Sequence, residues 1–376
     1  MRSQGKSLSC LVQVFALGLG ISIGIFCKAP AAFAGPALLF EPSNGKVLYA
    51  EDADNLWHPA SLTKIMTAYL TFEALKAGKL KIDDKVTCSL VATLQPPSKV
   101  GLPVGGELTV DLALQAVIVK SANDVTVMLG EAISGSETTF VQKMNATAKR
   151  LGMTRTNFVN TNGLPDPAQV TTARDLAKLA RAVVTEYPEH AHYWSAPDMR
   201  LGKRRLGSHN ALLKTFPGAD GLKTGFTCDS GFNVVASATR DGRRLMAVVL
   251  GESSGNERAV RAASLLEHGF QNYGWKELFN QTSIDSMVLD PAAKPAVSVR
   301  QNVVSWDCGN GRRRANRANI ASRNKSLKAK VAAVKANSKK KGEVQQARPA
   351  LKGTQIGTEA ANSAAAPKAA ATTTVP

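Results

Sequence analysis

Apolar residues recur at two different periods along the chain, and the first stretch predicts a β-hairpin. Residues 37–41 and 47–50 are mostly apolar, and the segment PSNG at 42–45 joins them. An Asn-Gly pair readily adopts the positive φ angles of a tight reversal, so the two runs are expected to pair as antiparallel strands.

The middle of the chain has the longer period, with apolar residues three and four positions apart, which is typical of amphipathic helices. A first helix is predicted to begin at Pro59 and to end near Gly78. Its apolar face is predicted to hold Leu62, Ile65, Met66, Tyr69 and Phe72. Further helices are predicted over residues 110–120, 138–151 and 172–184.

Beyond Gly221 the period returns to two and β-branched residues become common. Strands are predicted over residues 222–224, 233–239 and 245–250, and a closing helix over 256–273. The sheet is thus split in the sequence, with two strands before the helices and three after them. This order predicts a layered α/β domain of the α+β kind.

The N-terminal segment has the composition of a secretory signal peptide. Residues 1–34 carry Arg2 and Lys6, then an apolar run, then the small-x-small pattern AFA at 32–34. A transmembrane anchor is the alternative, but the apolar run contains several glycines and is shorter than the ~20 residues that cross a bilayer. We therefore expect secretion across the inner membrane, to the periplasm or another part of the cell envelope.

The C-terminal part has a low-complexity composition. We assign residues 35–280 to one folded domain and 281–376 to a linker and a basic tail, which is expected to be disordered from residue 300 onward. Such a tail is usually solvated, and a contact with anionic lipid or wall polymer is the alternative.

The net charge of +18 could indicate a nucleic-acid-binding protein. However, residues 294–376 hold 17 Lys and Arg against three Asp and Glu, and residues 35–293 are nearly neutral. Together with the predicted secretion, this distribution argues against a nucleic-acid partner.

Three cysteines follow the predicted signal peptide: Cys88, Cys228 and Cys308. Their spacing matches no metal site, and we expect neither a metal nor another cofactor. One disulfide is possible, but the sequence does not choose the pair. Cys228 is interpreted as a small buried filler, and a position that lines a ligand site close to Gly225 is the alternative.

Ser61 and Lys64 lie three residues apart at the start of the first predicted helix, where such residues share a face. The pattern Ser-x-x-Lys occurs elsewhere in the chain, but only this pair falls on a predicted helix. A desolvated lysine near a second cation tends to lose its proton and can then act as a general base toward serine. The alternative is a helix-capping serine beside a solvated lysine.

Two further segments favour the catalytic interpretation. Ser121 and Asn123 bring a hydroxyl and a carboxamide to the end of the helix predicted over 110–120. The segment Lys223-Thr224-Gly225 lies on the expected edge strand, where a lysine and a hydroxyl could bind a substrate carboxylate and a glycine would let another backbone approach.

These three motifs together resemble the active-site set of penicillin-binding proteins and serine β-lactamases. Four longer segments are similar to the low-molecular-mass D-alanyl-D-alanine carboxypeptidases of serine peptidase family S11. They are PASLTKIMTAYL, VGLPVGGELTVDLALQAVIVKSANDV, FVNTNGLPDPAQVTTARDLAKLAR and PGADGLKTGFTCDSGFNVVASATRDGRRLMAVVLG. The resemblance covers about residues 36–275. It implies the β-lactamase/D,D-peptidase-like fold, with a five-stranded antiparallel sheet, flanking helices and an inserted helical subdomain.

The resemblance also implies an acyl-enzyme mechanism on the D-Ala-D-Ala end of peptidoglycan stem pentapeptides, with β-lactams as covalent inhibitors. The implied catalytic residues are Ser61, Lys64 and Ser121, and the implied substrate-binding residues are Asn123, Lys223, Thr224, Gly225 and Phe226. In this scheme Ser61 is the nucleophile, Lys64 its base and Ser121 a proton relay to the leaving amine. The backbone N–H groups of Ser61 and Phe226 would form the oxyanion hole.

Other functions fit parts of the same pattern. A D,D-endopeptidase would use the same residues on cross-linked stems, and a non-catalytic wall-binding protein would use mainly the tail. A β-lactamase is disfavoured because the E-x-x-L-N pattern of class A enzymes is absent. Where some relatives carry an arginine that contacts the substrate carboxylate, this chain has His209, to which no role is assigned.

Overall fold

The computed structural model describes residues 35–279, 282–304 and 308, so the predicted signal peptide and most of the predicted tail lie outside the described residues. In chain order the strands are β1 (Ala37–Phe40), β2 (Val47–Glu51), β3 (Lys85–Thr87), β4 (Glu107–Thr109), β5 (Asp198–Leu201), β6 (Arg204–Gly207), β7 (Ala219–Thr227), β8 (Gly231–Arg240) and β9 (Arg243–Glu252). The α-helices are α1 (Lys64–Lys76), α2 (Leu90–Thr93), α3 (Val110–Gln115), α4 (Asn123–Ser134), α5 (Glu137–Arg150), α6 (Ala173–Glu186), α7 (Ala191–Ser195), α8 (Leu212–Thr215) and α9 (Gly255–Phe279).

Five strands form one antiparallel sheet in the order β2-β1-β9-β8-β7. The N-terminal hairpin is present, and β1 pairs with β2 on one side and with β9 on the other. The first strands of the chain therefore lie beside the last ones, and β7 is left at an edge. This arrangement confirms the split five-stranded sheet that the sequence predicted.

Both faces of this sheet are buried. Leu38 and Phe40 pack into the core shared with the helices between β2 and β7, whereas Ala37 and Leu39 pack into a second core with α9. Successive side chains of a strand point to opposite faces, so a sheet covered on both sides needs almost continuous apolar runs. The layers are thus α9, the sheet and a helical block.

Two predicted helices deviate from α geometry where they carry candidate site residues. The first helix begins as the 3-10 turn Ala60–Thr63 before α1. The helix predicted over 110–120 is α-helical only as α3, and its second half, Ala116–Lys120, is a π-helical turn that ends at Ser121. Short 3-10 and π segments often occur at functional sites, because they re-aim the residues that follow.

Residues 282–304, called the strap below, pack on the domain beyond the boundary that the sequence placed at residue 280. The Ile284 N–H donates to the Gly45 carbonyl at 2.8 Å, and the Val304 N–H donates to the Ser253 carbonyl at 2.8 Å. Three strap side chains are buried in the main core: Ile284, Val299 and Val303. The valines of this segment occur singly and at irregular spacing, so the sequence showed no hydrophobic period that would predict its packing on the domain.

Cys228 and Cys308 form a disulfide, with their Cα atoms 5.4 Å apart. The interpretation of Cys228 as a simple buried filler is therefore wrong. The bridge attaches residue 308 one position beyond the end of β7. Cys88 is free and buried. Within the described part of the chain, no helix combines the length and the apolar character needed to cross a membrane.

Candidate active site

Ser61 is the second residue of the 3-10 turn, and Lys64 is the first residue of α1. The Lys64 Nζ lies 2.9 Å from the Ser61 Oγ. The turn begins at Pro59 without a side-chain cap, and Lys64 has no exposed surface. The alternative of a capping serine beside a solvated lysine is therefore wrong.

The backbone around Ser61 is closely packed. Ala60, just before it, has φ +47°, a left-handed conformation that is strained for a residue other than glycine. A Cβ added at Gly163 would lie 1.8 Å from the Ala60 carbonyl oxygen, and one added at Gly225 would lie 3.1 Å from the Ser61 nitrogen. Glycine at both positions lets two other segments touch the turn that holds the serine.

The Lys64 ammonium has three oxygen neighbours. Its Nζ lies 2.9 Å from the Ser61 Oγ, 2.8 Å from the Asn123 Oδ1 and 2.7 Å from the Asn162 carbonyl oxygen. Burial lowers the pKa of Lys64 well below its ordinary value, and the positive charge of Lys223 lowers it further. The site therefore favours the neutral amine at this position.

Ser121 and Asn123 are placed by the end of the π-helical turn. Ser121 has φ +63°, which turns the chain sharply from that segment into α4. Asn123 is 5% exposed, accepts from Lys64 through Oδ1 and donates from Nδ2 to the Pro96 carbonyl at 2.9 Å. The Ser121 hydroxyl is nearly buried and makes no hydrogen bond within the described residues, so it is available to a ligand.

Sequence reasoning missed two residues that support this arrangement. Asp124 is buried in the first turn of α4. It accepts hydrogen bonds from the Val100 and Gly101 N–H groups at 3.0 and 2.8 Å and thereby fixes the loop that contains these two residues. Asn162 orients Lys64 through its carbonyl and donates from Nδ2 to the Gln95 Oε1 at 2.9 Å. The available signals were an acidic residue at a helix start and an Asn-Gly turn, and both are common outside active sites.

The β7 edge contributes Lys223, Thr224, Gly225 and Phe226. Lys223 is 2% exposed, and its Nζ donates to the Thr224 carbonyl at 3.1 Å. Burial, followed by the charge of Arg258, lowers the pKa of Lys223 to about 7. Thr224 is buried, and the Phe226 ring stacks on Phe232 with ring centroids 4.2 Å apart.

Arg258 of α9 is a further candidate that the sequence did not reveal. It is 8% exposed, burial lowers its pKa to about 10, and its Nη2 donates to the His209 carbonyl at 3.2 Å. The pKa of His209 is lowered by burial and then by the charges of Lys223, Lys120 and Arg258. We call Lys223 and Arg258, together with His209, whose carbonyl accepts from Arg258, the cationic cluster. Within the described residues none of the three forms an ion pair with a carboxylate, which is typical of a site for an anionic ligand.

The structure thus brings most of the predicted residues together. Ser61, Lys64 and Asn123 share hydrogen bonds, Gly225 touches the Ser61 backbone, and Lys223 is close enough to lower the pKa of Lys64. Ser121 lies two residues before Asn123, at the end of the π-helical turn. The residues of the site thus come from the 3-10 turn and the start of α1, the junction of the π-helical turn with α4, and the edge strand β7.

Comparisons with known proteins identify the family of this chain. A family model described as D-alanyl-D-alanine carboxypeptidase matches residues 26–254. The D-alanyl-D-alanine carboxypeptidase DacF of Bacillus subtilis is 36% identical over 283 residues, which cover 70% of this chain and 72% of that protein.

Solved structures give the same assignment. Penicillin-binding protein 5 of Haemophilus influenzae superposes with a TM-score of 0.62 at 36% identity, over 65% of this chain and 72% of that one. Penicillin-binding protein D2 of Listeria monocytogenes, in its cefotaxime-bound form, superposes with a TM-score of 0.58 at 34% identity, over 63% of this chain and 97% of that one. With its five-stranded antiparallel sheet and its family match, the chain belongs to the D-alanyl-D-alanine carboxypeptidase family of serine peptidases.

Proposed function

We propose that this protein is a serine-type D-Ala-D-Ala carboxypeptidase that removes the terminal D-alanine from peptidoglycan stem pentapeptides through an acyl-enzyme on Ser61. One observation carries the assignment of the nucleophile. A fully buried lysine amine, Lys64 Nζ, lies 2.9 Å from the Ser61 Oγ. Such proximity is the requirement for a serine activated by a neighbouring base.

The hydrogen bonds of Lys64 indicate how the proton moves. The Asn162 carbonyl and the Asn123 Oδ1 can only accept, so a neutral amine donates its two N–H groups to them. Its lone pair is then left for the Ser61 hydroxyl proton. When the Ser61 Oγ attacks the carbonyl between the two D-alanines, Lys64 takes that proton and a new C–O bond forms.

Negative charge then develops on the carbonyl oxygen, and two backbone N–H groups are assigned to stabilise it. They belong to Ser61 and to Phe226, the residue after Gly225, and the contact of Gly225 with the Ser61 backbone supports this assignment. Donors fixed in a water-poor site of this kind are typically worth 10²–10³-fold in rate each.

The remaining residues bind the substrate and release the leaving group. Lys223, Thr224 and Arg258 are assigned to the terminal carboxylate, because the cationic cluster has no carboxylate of its own in the described chain. Asn123 is assigned to the substrate backbone. Ser121 relays a proton to the leaving D-alanine amine as the C–N bond breaks, and water later hydrolyses the ester on Ser61.

The same chemistry predicts covalent inhibition by β-lactams, whose ring opens on Ser61 to give a stable ester. A solved structure similar to this chain has bound cefotaxime, which supports the expectation.

An enzyme with this substrate acts in the cell envelope. We further propose that residues 1–34 direct export.

Mass spectrometry of muropeptides tests the activity directly. Monomeric pentapeptides and cross-linked dimers are incubated with the mature protein and with Ser61→Ala. We expect pentapeptides to lose one alanine only with the intact serine, and a fluorescent penicillin to label only the wild type. Conversion of dimers to monomers would favour an endopeptidase, and unchanged muropeptides would favour a non-catalytic wall-binding protein. Full labelling of Ser61→Ala would exclude Ser61 as the nucleophile.

A further inference from the structure

A cavity of about 280 Å³ lies beside the turn that holds the nucleophile. Three segments line it: residues 58–60 before the nucleophile, including His58, the loop over 163–169, and the end of β7 with the strap. None of the residues of the cationic cluster lines this cavity. It is therefore a separate compartment next to the reacting serine.

Strand geometry gives the position of this cavity relative to a bound substrate. Gly225 lies against the Ser61 backbone, Lys223 comes two residues earlier on β7, and Thr227, which lines the cavity, comes two residues later. Two residues of a strand span roughly 7 Å. A peptide that lies extended along this edge, with its carboxylate near Lys223 and its scissile carbonyl at Ser61, continues toward Thr227. The stem residue before the two D-alanines, its third, therefore reaches the cavity.

The charges around the cavity favour an ammonium group. Asp166 accepts the Ala168 N–H through Oδ1 at 2.8 Å and forms no ion pair within the described residues. Asp229 accepts from the Ser298 hydroxyl at 2.6 Å and from Arg300 Nη2 at 3.1 Å, so its charge is already matched. Asp166 is therefore a carboxylate of these walls that has no ion-pair partner among the described residues, and a cationic side chain would be attracted to it.

The strap completes this compartment. Ser298 lines the cavity directly, and the Val299 N–H donates to the Asp229 carbonyl at 3.0 Å. The disulfide at Cys228 fixes the same corner, next to Asp229. The strap therefore supplies one wall of the cavity as well as packing on the core.

We propose that the cavity receives the side chain of the third stem residue and that Asp166 selects a diamino acid, through its terminal ammonium. This inference rests on the proposed carboxypeptidase function. Lysine and diaminopimelic acid share that ammonium. The second carboxylate of diaminopimelic acid lies on the same carbon as this ammonium.

Short peptide substrates test the proposal with the full chain. Acylated tripeptides ending in D-Ala-D-Ala carry lysine, Nε-acetyl-lysine, norleucine or meso-diaminopimelic acid as the first residue, and D-alanine release is measured. We expect the wild type to have a kcat/KM up to about fivefold higher for the lysine peptide than for norleucine, as for a partly exposed ion pair. The acetylated peptide should behave like norleucine. The ratio of the diaminopimelic to the lysine peptide identifies the natural source of the ammonium.

Asp166→Asn should remove this preference while retaining the oxygen that caps Ala168. We expect its kcat/KM for lysine to fall to the norleucine value, mainly through KM, with norleucine turnover and penicillin labelling unchanged. Asp83→Asn, at an exposed loop position, is the matched control. It should change neither the turnover of the lysine peptide nor that of the norleucine peptide.

Two results would overturn the proposal. One is equal turnover of lysine and norleucine peptides by the wild type, and the other is an equal loss for both in Asp166→Asn. A wild type that turns over no peptide and is not labelled by penicillin would instead refute the carboxypeptidase function, and with it this inference.

Discussion

Lys64, Lys223 and Arg258 are three cationic side chains that are each at most 8% exposed. Burial is the largest cause of the lowered pKa of every one of them. Burying charge without an opposite partner destabilises a fold, so such residues are usually retained for function. The three residues are buried for two different reasons. Burial leaves Lys64 with a free lone pair that can accept a proton, whereas Lys223 and Arg258 lack a carboxylate partner so that they can bind an anionic ligand.

Lys223→Met is expected to abolish carboxylate binding and yet raise the thermal midpoint. The pKa of Lys223 is about 7 in the folded protein against an ordinary 10.5, so between these values the unfolded chain binds more protons. Wild-type stability therefore rises with pH across this window. The gain from the substitution should be larger at pH 6 than at pH 9. Thermal unfolding at both pH values checks this, with the exposed Lys203→Met as control, and an unchanged or lower midpoint at pH 6 would contradict it.

The pH dependence of acylation tests Lys64. Only the neutral amine can accept the Ser61 proton, and the pKa of Lys64 is well below its ordinary value of 10.5. The rate of labelling by a fluorescent penicillin should therefore rise with pH and reach a plateau before pH 10. Lys64→Met should be slower by roughly 10²–10⁴-fold, the usual contribution of a general base. A wild-type rate that still rises at pH 10 would argue against this assignment.

At the scale of elements, the site depends on three backbone segments with specific geometry. The 3-10 turn presents Ser61, the π-helical turn ends at Ser121, and the edge strand β7 reaches the nucleophile at Gly225. The hydrophobic pattern predicted a helix in the first two cases, and both helices are present. The geometry at the ends of these helices depends on contacts with other segments, such as the one that holds Gly163. The hydrophobic pattern of a helix carries no information about such contacts.

Gly225→Ala should separate β7 from the nucleophile. The added Cβ would lie 3.0 Å from the Pro59 carbonyl oxygen and 3.1 Å from the Ser61 nitrogen, so the strand edge must shift. A misplacement of about 1 Å at reacting groups can cost 10²-fold in rate, and the shift required here is a few tenths of an ångström, so we expect a smaller loss, on the order of tenfold. The penicillin acylation rate measures this loss.

Gly207→Ala, also at a strand position but with no atom within 4 Å of the added Cβ, is the matched control for Gly225→Ala. Equal rates for the two variants would show that the close approach at Gly225 has no role in catalysis.

At the scale of the molecule, the strap and the disulfide extend the folded unit past the boundary expected from composition. The bridge joins residues 80 positions apart, and Val303 is buried just before it. The described residues all fall within a single unit that ends at residue 311. The basic composition that begins near residue 294 therefore overlaps with the folded part.

A chain shortened after residue 311 should keep full turnover of a small D-Ala-D-Ala peptide. A chain shortened after residue 299 loses Val303 and Cys308 and should unfold at a lower temperature.

Cys308→Ser alone should lower the thermal midpoint by several degrees, because loss of a native disulfide typically costs about 2–4 kcal/mol. Differential scanning calorimetry checks these changes, and identical midpoints for all three chains would show that the strap is not part of the stable fold.

The sequence by itself determined the features that depend on neighbours in the chain. Periods of two and of three to four residues predicted the strands, the helices and the split sheet. The spacing of Ser61 and Lys64 placed them on one helical face. These predictions succeed because a strand or a helix fixes which nearby residues share a side.

Only the tertiary structure decided which distant residues complete the site. Asn162 reaches Lys64 across 98 positions, and Arg258 approaches Lys223 from the far end of the domain. The pairing of Cys228 with Cys308 and the contact of Ser298 with Asp229 also join residues that are far apart in the sequence. No local period encodes such contacts, because they arise when the layers of the fold pack together and bury the groups between them.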